Sequence, residues 1–241
     1  MSIFFITGTD TEVGKTFISC ALLERARLDG LSTKAIKPIA AGCQLTENRW
    51  QNEDAILLKQ FMTEACHYAE VNPIALQSAI APHIAALEEK TSLTAALVAN
   101  HCQHLINNSS LDLTLIEGAG GWRVPLNNEE TLADAVKHLE VQVILVVGMK
   151  LGCLNHALLT AEAIQSDGLR LAGWVANTID PEMSRFQENV DTLKTLLKAP
   201  CLGVVPHLSG SETLIATGSA YEVPSYLSRC AARYLSLEAL I

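Results

Sequence analysis

Basic residues are scarce in this sequence, and no basic block interrupts it. The 241 residues contain 17 Lys and Arg against 26 Asp and Glu, a formal net charge of −9. Because polyanions and anionic bilayers are recognised through basic patches, the composition argues against nucleic acid and membrane surfaces as partners. A polyphosphate ligand remains compatible with an acidic chain, provided that its site supplies a local positive field.

Long apolar runs are also missing. The longest, near 141–148 and 111–116, fall far short of the roughly 20 residues that a membrane-spanning helix needs. The apolar stretch at the N-terminus lacks a basic leader region and continues directly into a glycine-containing segment. We therefore expect a β-strand at this position rather than a signal peptide.

The sequence has no C-x-x-C motif, and its seven cysteines are scattered. An odd number of widely spaced cysteines does not suggest a disulfide framework. The pattern favours free thiols in a reducing compartment, and we expect a cytoplasmic location.

Charged residues make up only 18% of the chain, whereas 49% is hydrophobic, enough for a full core. Without repeats or linkers, residues 1–241 are expected to form a single domain. Short Val-, Ile- and Leu-rich runs alternate with amphipathic stretches, which predicts an α/β fold: a doubly wound, mostly parallel sheet with helices on both faces. The predicted strands are 3–7, 34–39, 111–117, 141–147, 171–177 and 202–205. The predicted helices are 15–29, 53–61, 82–89, 92–106, 131–139, 154–166, 182–197 and 226–240, with a loop at 209–218.

Residues 8–16, GTDTEVGKT, follow the first predicted strand and lead into a helix. This context is typical of a phosphate-binding loop, in which backbone N–H groups surround the phosphate oxygens. Lys15 would reach the β- and γ-phosphates, and the Thr16 hydroxyl is placed for Mg²⁺. The spacing is irregular, because five residues rather than four separate Gly8 from Gly14.

Three charged residues occur where the fold predicts ligand contacts, beyond the carboxyl ends of the strands. Lys37 ends the second predicted strand; it is either a phosphate-edge cation or a surface lysine. Asp54 begins a predicted helix, where it would bind Mg²⁺ or only complement the helix dipole. Glu117 ends a strand expected to be buried, and a buried carboxylate is costly unless it is paired or bound to a metal. It therefore resembles the acidic residue that holds Mg²⁺ in nucleotide sites.

Other candidates lie at the same predicted edge. Gly118 and Gly120, on either side of Ala119, would let a ligand approach the backbone closely. Asn177 and residues 205–207 (Val205, Pro206 and His207) are candidates for an adenine rim, although each could equally begin an ordinary loop. Residues 150–156, KLGCLNH, open a helix and offer free N–H groups, a lysine and Asn155, or form a normal βα loop.

Several segments in the same order resemble those of the dethiobiotin synthetase family. They are GTDTEVGKT, KPIAAG, VNP, APH, EGAGGWRVPL, VVGMKLGCLNHALLT and GWVAN, and they extend from about residue 3 to residue 206. Residues 209–241 match the family only weakly. The resemblance implies a P-loop NTPase-like fold and an ATP-dependent cyclo-ligase of biotin biosynthesis. The implied substrates are 7,8-diaminopelargonic acid, CO₂ or bicarbonate, and ATP, with Mg²⁺ as the cofactor.

The resemblance also implies roles for particular residues. Lys37, Lys15 and Thr11 would be catalytic. ATP and its metal would be held by Glu12, Val13, Gly14, Lys15, Thr16, Phe17, Asp54, Glu117, Gly118, Ala119, Gly120, Asn177, Thr178, Val205, Pro206 and His207, with Thr16, Asp54 and Glu117 serving the metal. The organic substrate would contact Thr11, Lys37, Ala41, Lys150, Gly152, Cys153, Leu154 and Asn155. Members of the family are homodimers, so residues 150–155 are expected to serve the site of a second subunit.

One position departs from the family pattern, because Ala41 stands where a hydroxyl residue is usual. This places the affinity for the substrate in question, or suggests a divergent paralogue. A competing interpretation is a P-loop switch or partitioning ATPase that acts through a protein partner. That class carries an additional lysine early in the loop, and Thr9, Asp10 and Thr11 contain none. Amide ligases of the cobalamin type would need a glutaminase domain for which the chain has no room.

Overall fold

The computed structural model describes residues 1–46, 48–107, 111–208 and 222–241, without the side chains of 222–224. The loop predicted at 209–218 lies outside these residues. Six parallel strands form the central sheet in the order β10-β9-β8-β1-β7-β2. They are β1 (Ser2–Gly8), β2 (Thr33–Ile36), β7 (Leu113–Glu117), β8 (Gln142–Met149), β9 (Leu171–Thr178) and β10 (Cys201–Val205).

Helices cover both faces of this sheet, as the sequence predicts. Packed on one face are α1 (Lys15–Leu28), α2 (Glu53–Phe61) and α9 (Glu222–Ala231). The other helices of at least seven residues are α4 (Pro82–Glu88), α5 (Ala95–Asn107), α6 (Leu132–Leu139), α7 (Cys153–Ser166) and α8 (Phe186–Leu196). These five contribute to the two clusters of buried side chains on the opposite face. The α/β, doubly wound prediction is therefore confirmed.

The strand order brings the predicted ligand-binding ends together. The first strand lies between β7 and β8, with Ile6 opposite Glu117 and Gly8 opposite Val146. All residues of β8 from Val143 onward are buried, which matches their uninterrupted apolar character. Among the described residues, no helix is long and apolar enough to cross a membrane.

The second predicted strand is wrong in its extent. Pairing with β7 stops at Ile36, and the Lys37 N–H instead donates to the Val71 carbonyl at 2.7 Å. Pro38 follows and has no N–H to continue a ladder. The chain then forms β3 (Ile39–Ala40), which pairs with β6 (Ile74–Ala75) in a small separate sheet. Lys37 therefore lies in a break between two strands, at the carboxyl edge of the sheet.

Other predicted bounds also need correction. The helix expected from residue 182 begins at Phe186, after Arg185 adopts a left-handed conformation with φ 56°. The helix expected over 226–240 is α9 followed by a 3-10 turn, Ala232–Tyr234, and Leu235 then bridges to Gly203 beside β10. Three short elements were not predicted from the sequence. They are β4 (Gln44–Thr46) and β5 (Arg49–Gln51), which form a hairpin, and the helix α3 (Tyr68–Val71).

Candidate active site

The loop between β1 and α1 turns its backbone through left-handed conformations. Glu12 has φ 59° and Gly14 has φ 84°. A side chain at position 14 would also collide with the amide of Asn177, which donates to the Val13 carbonyl at 2.9 Å. When right-handed and left-handed backbone conformations alternate in this way, successive N–H groups point into one anion-binding concavity. The irregular spacing noted in the sequence thus still forms a phosphate-loop geometry.

Lys15 lies at the start of α1 and is only 7% exposed. Its Nζ donates to the Asp10 carbonyl at 3.0 Å, so the ammonium folds back over the loop. Burial lowers the pKa of Lys15 to about 8, although the nearby Glu117 carboxylate acts in the opposite direction. The loop therefore holds a desolvated cation, which interacts more strongly with phosphate than a hydrated lysine would.

The other predicted charged residues meet beside this loop in a compact cluster. Lys37 Nζ lies 2.7 Å from Glu117 Oε1 and 2.7 Å from Asp54 Oδ2. The Thr16 hydroxyl donates to the same Glu117 oxygen at 2.7 Å. Residues from β7, α1, α2 and the break after β2 thus converge on one point at the carboxyl edge of the sheet.

The pKa directions within the cluster follow from these contacts. Burial works against the charged form of Lys37, yet the Glu117 and Asp54 carboxylates outweigh burial, and the pKa of this ammonium is raised. Burial would likewise raise the pKa of Asp54, but the charge and hydrogen bond of Lys37 outweigh it, and the pKa is lowered. Lys37 and Asp54 are consequently a charged pair at neutral pH.

Two residues that the sequence analysis missed brace this cluster. The buried side chain of Asn72 donates to the Lys37 carbonyl at 2.8 Å. Tyr68 Oη donates to Asn72 Oδ1 at 2.9 Å and accepts a hydrogen bond from the Asn52 N–H at 2.8 Å. Asn52 in turn caps the helix that carries Asp54. In the sequence, Asn72 belongs to the VNP segment, but an Asn-Pro pair ordinarily indicates a turn, so the pattern alone did not point to a buried brace.

A cavity of about 750 Å³ opens directly onto the cluster. Near the phosphate loop it is lined by Thr11, Glu12, Gly14, Lys15, Thr16, Phe17, Lys37, Asp54, Ala119 and Gly120. The rest of its lining is mostly small and apolar, formed by Ala40, Ala41, Ala79, Ile80, Ala81, Pro82, Val124 and Pro125, with Asn52 and Arg123 also present. The cavity therefore combines charged groups with apolar walls, a lining suited to an aliphatic chain with a polar head.

A second cavity of about 350 Å³ lies at the ends of β9 and β10. It is bordered by two of the predicted adenine-rim residues, Pro206 and His207, and by Thr178, which was predicted to contact ATP. Pro181, Phe186, Val204 and Tyr234 complete the lining. Asn177 is buried and points to the phosphate loop, and Val205 is buried in the core. Phe186 and Tyr234 were not predicted, since neither follows a strand end in the sequence.

The segment that comprises Lys150 to Asn155, here called the anchor segment, does not line the 750 Å³ cavity of its own chain. Gly152 (φ 94°) precedes α7, and Cys153 and Leu154 pack into the core. Lys150 Nζ lies 3.7 Å from Asp10 Oδ2, so the segment borders the phosphate loop from the outside. Its polar groups are thus separate from the cluster around Lys37.

The residues around Glu117 suit a small hard cation. Glu117 is 1% exposed, and its Oε2 has no hydrogen-bond partner among the described residues. An unsatisfied buried carboxylate oxygen is costly, so it indicates a missing ligand. With the Thr16 hydroxyl and Asp54 alongside, the donor set consists entirely of oxygen, as Mg²⁺ prefers, and phosphate oxygens and water would complete it.

This arrangement of phosphate loop, parallel sheet and buried acidic residue defines a P-loop nucleotide-binding protein. Residues 3–213 match a family model described as an AAA domain, so the chain belongs to that family. It is 56% identical over 206 residues to the ATP-dependent dethiobiotin synthetase BioD of Cellvibrio japonicus, covering 86% of this chain and 90% of the relative. It is 48% identical over 239 residues to the BioD protein of Marinobacter nauticus, covering 99% and 97%. The chain therefore belongs to the ATP-dependent dethiobiotin synthetase family, as the resemblance of its motifs predicts.

Solved structures of similar fold are more distant in sequence. The MinD cell division protein of Aquifex aeolicus has a TM-score of 0.55 at 14% identity, covering 95% of this chain and 96% of that one. A ParA family ATPase from Chlorobium tepidum has a TM-score of 0.56 at 13% identity, covering 98% of each chain. At such low identity these likenesses show a shared fold and nothing about the activity.

Proposed function

We propose that this chain closes the ureido ring of dethiobiotin from 7,8-diaminopelargonic acid, CO₂ and ATP, releasing ADP and phosphate. Besides family membership, the observation that carries the proposal is a cavity lined by Lys15, Lys37 and Asp54 together with mostly small apolar side chains. The charged groups alone would serve any P-loop protein, whereas the apolar part of the lining suits a substrate with an alkyl chain.

In the proposed reaction, one substrate amine adds to CO₂ and loses a proton, giving a carbamate. A carbamate oxygen attacks the γ-phosphorus of ATP, and the bond to ADP breaks. The second amine then attacks the carbamate carbon of the mixed anhydride, losing a proton as phosphate leaves with the electron pair. The ring is now closed, and no oxidant or reductant is consumed.

The main electrostatic obstacle is that carbamate and γ-phosphate are both anions. Lys15 and Lys37 would neutralise them as they approach, and they act from a buried position where charges are weakly screened. Thr11 and the amides of residues 12–17 would orient the phosphoryl group and the carbamate. Thr16, Asp54 and Glu117 would hold Mg²⁺, which, when bound, would withdraw charge from the phosphate oxygens.

For ATP, we propose that the base occupies the 350 Å³ cavity between the ends of β9 and β10. Thr178, Pro206 and His207 would border it as the family resemblance implies, and Phe186 and Tyr234 would supply aromatic walls. The Asn177 amide would contribute indirectly, because it fixes the Val13 carbonyl and thereby the phosphate loop.

For the substrate carboxylate, we propose a second copy of the chain as the binding partner. With the amines at the phosphate loop, the carboxylate of an extended substrate would lie on the order of 10 Å away. Helix N-termini bind carboxylates, and α7 begins at the anchor segment, outside the cavity. Leu151 in the anchor segment is 94% exposed and Leu159 on α7 is 56% exposed, so the segment and its helix also offer apolar surface for a C2 dimer.

Phosphate release with ATP, Mg²⁺ and bicarbonate, with and without the diamine, tests the proposal. We expect release to require the diamine and CO₂ together and to be accompanied by dethiobiotin in a 1:1 ratio. A Lys15→Ala chain serves as the matched control for contaminating phosphatases. Full-rate release without the diamine would contradict the proposal and favour the switch-ATPase interpretation.

A further inference from the structure

The ammonium of Lys37 occupies a position between the two carboxylates of the cluster. Its Nζ is 2.7 Å from Glu117 Oε1 and 2.7 Å from Asp54 Oδ2, and its side chain is only 6% exposed. Glu117 Oε1 also accepts the Thr16 hydroxyl at 2.7 Å, so this oxygen already has two donors. The acidic residues of the cluster are thus paired with an internal cation.

These same oxygens are the ones assigned to Mg²⁺ in the proposed function. Lys15 and Lys37 together balance the charges of Asp54 and Glu117, so a divalent cation would bring two further positive charges into the cluster. At contact distances inside a protein, little solvent screens the repulsion between the ammonium and the metal. The metal and the ammonium therefore compete for the same carboxylates.

We propose that Lys37 holds the metal position closed in the ligand-free chain, and that Mg²⁺ displaces its ammonium into the 750 Å³ cavity. This inference rests on the proposed function, since it takes the metal site from there. The exchange makes the catalytic cation available only when the metal is present. After the exchange, the Lys37 ammonium is no longer paired with Asp54 and Glu117. Its positive charge then acts on the carbamate and the phosphoryl group.

The surroundings of Lys37 place the exchange in its side chain rather than in its backbone. The backbone of Lys37 is held on both sides, because its N–H donates to Val71 at 2.7 Å and its carbonyl accepts from Asn72 at 2.8 Å. The side chain already borders the cavity, so a destination adjoins its present position. The orphaned Oε2 of Glu117 also remains as a buried acceptor that the ammonium leaves unsatisfied.

Binding of Mn²⁺ alone, followed by electron paramagnetic resonance of the free ion, tests the competition. We expect Lys37→Met to bind Mn²⁺ at least about tenfold more tightly than the natural chain, because the competing cation is gone. Lys15→Met is the matched control: it removes a nearby charge whose Nζ contacts Asp10 rather than the carboxylates. Because the Lys15 charge also acts on Glu117 through space, Lys15→Met should tighten Mn²⁺ binding as well, but by less than Lys37→Met does. Equal or weaker binding by Lys37→Met, compared with Lys15→Met, would overturn the exchange.

A second measurement uses the natural chain and so does not depend on a folded variant. With ¹⁵N-labelled lysine side chains, saturating Mg²⁺ should move the Lys37 ammonium signal, whereas that of Lys34 should stay unchanged. Lys34 is a suitable internal reference, because it is buried and paired with Glu64 at 3.3 Å. An unmoved Lys37 signal would overturn the exchange, even with dethiobiotin still formed. A shifted signal without dethiobiotin formation would instead contradict the proposed function.

Discussion

Two regions of the molecule differ in whether their polar groups find partners within the same chain. The first, here called the phosphate edge, comprises Lys15, Thr16, Lys37, Asp54 and Glu117, and the second is the anchor segment. At the phosphate edge, Glu117 is 1% exposed and Lys37 is 4% exposed, and both contact partners from other elements of the same chain. In the anchor segment Leu151 is 94% exposed, and none of residues 150–155 lines the large cavity. Buried charges must be paired within the fold, whereas an exposed helix start can serve another molecule. This contrast is what the proposed C2 dimer requires, in which one chain supplies the phosphate loop and the other contacts the substrate carboxylate.

The largest expected effect comes from removing a charge at the phosphate edge. Lys37→Gln should lower kcat by about 1,000-fold, because the cation acts mainly as negative charges converge in the transition state. The affinity for ATP, measured by calorimetry in the absence of divalent cations, should stay nearly unchanged.

A buried ammonium away from the edge provides the comparison. Lys34→Gln removes the Lys34–Glu64 pair and should lower the melting temperature while kcat stays near that of the natural chain.

An equal loss of ATP affinity and kcat in Lys37→Gln would contradict a role in the transition state. Lys37 would then bind phosphate equally in the ground state.

The second prediction tests whether the anchor segment serves a partner. Chains carrying Lys15→Ala or Asn155→Glu should each be inactive alone. After subunit exchange the mixture should recover about a quarter of natural activity, because half of the dimers are mixed and one of their two sites escapes both lesions. Mass spectrometry would verify the exchange. A mixture that stays inactive despite mixed dimers would reduce the contrast between the two regions to a difference in exposure.

The third prediction concerns the pH dependence of nucleotide binding at the phosphate edge. Burial lowers the pKa of Lys15 from 10.5 to about 8, with the Glu117 carboxylate opposing the shift. The protonated form binds phosphate, so the affinity for ATP should fall as the pH rises through about 8 in the free chain. The charge of Lys37 should persist over this range, because its pKa is raised.

Lys15→Arg separates this titration from other causes, since a guanidinium stays protonated up to about pH 12. Binding of a fluorescent ATP analogue by that variant should stay constant between pH 7 and 9. The same decline in both chains would assign the pH dependence to another group.

The smallest expected effect lies on the cavity wall between the two regions. Ala41→Ser restores the hydroxyl usual in the family, and residue 41 lines the cavity. One added hydrogen bond should contribute about 1 kcal/mol, which corresponds to a roughly fivefold lower KM for the diamine. Ala41→Val is a matched control that adds bulk without a hydroxyl. If KM does not fall in the serine variant, another group already fills the role.

Sequence patterns were sufficient for much of the fold. The uninterrupted apolar run of β8 predicts a strand buried on both faces, and the helix Glu53–Phe61 has the predicted bounds. The phosphate loop is equally local, because its glycines and the following helix are contiguous. Lys37, Asp54 and Glu117 could be selected one by one, since the carboxyl ends of parallel strands share an edge.

Features that depend on contacts between distant segments escaped prediction. The strand expected over 34–39 ends at Ile36 because the Lys37 N–H finds the carbonyl of Val71 instead of a ladder partner. The brace of Tyr68 and Asn72 has no periodicity of its own. Tyr234 lines the 350 Å³ cavity only because the chain after α9 returns along β10.

The sequence by itself determined the class of fold, the phosphate loop and the residue types at the sheet edge, because these follow from local periodicity and contiguous motifs. Only the tertiary structure decided that Lys37 bridges Asp54 and Glu117, which lie 17 and 80 residues farther along the chain. It also decided that, among the described residues, one oxygen of Glu117 is buried without a hydrogen-bond partner and that no residue of the anchor segment lines the 750 Å³ cavity. The reason is physical: pairing and burial of charges depend on distances through space, which a linear pattern does not contain.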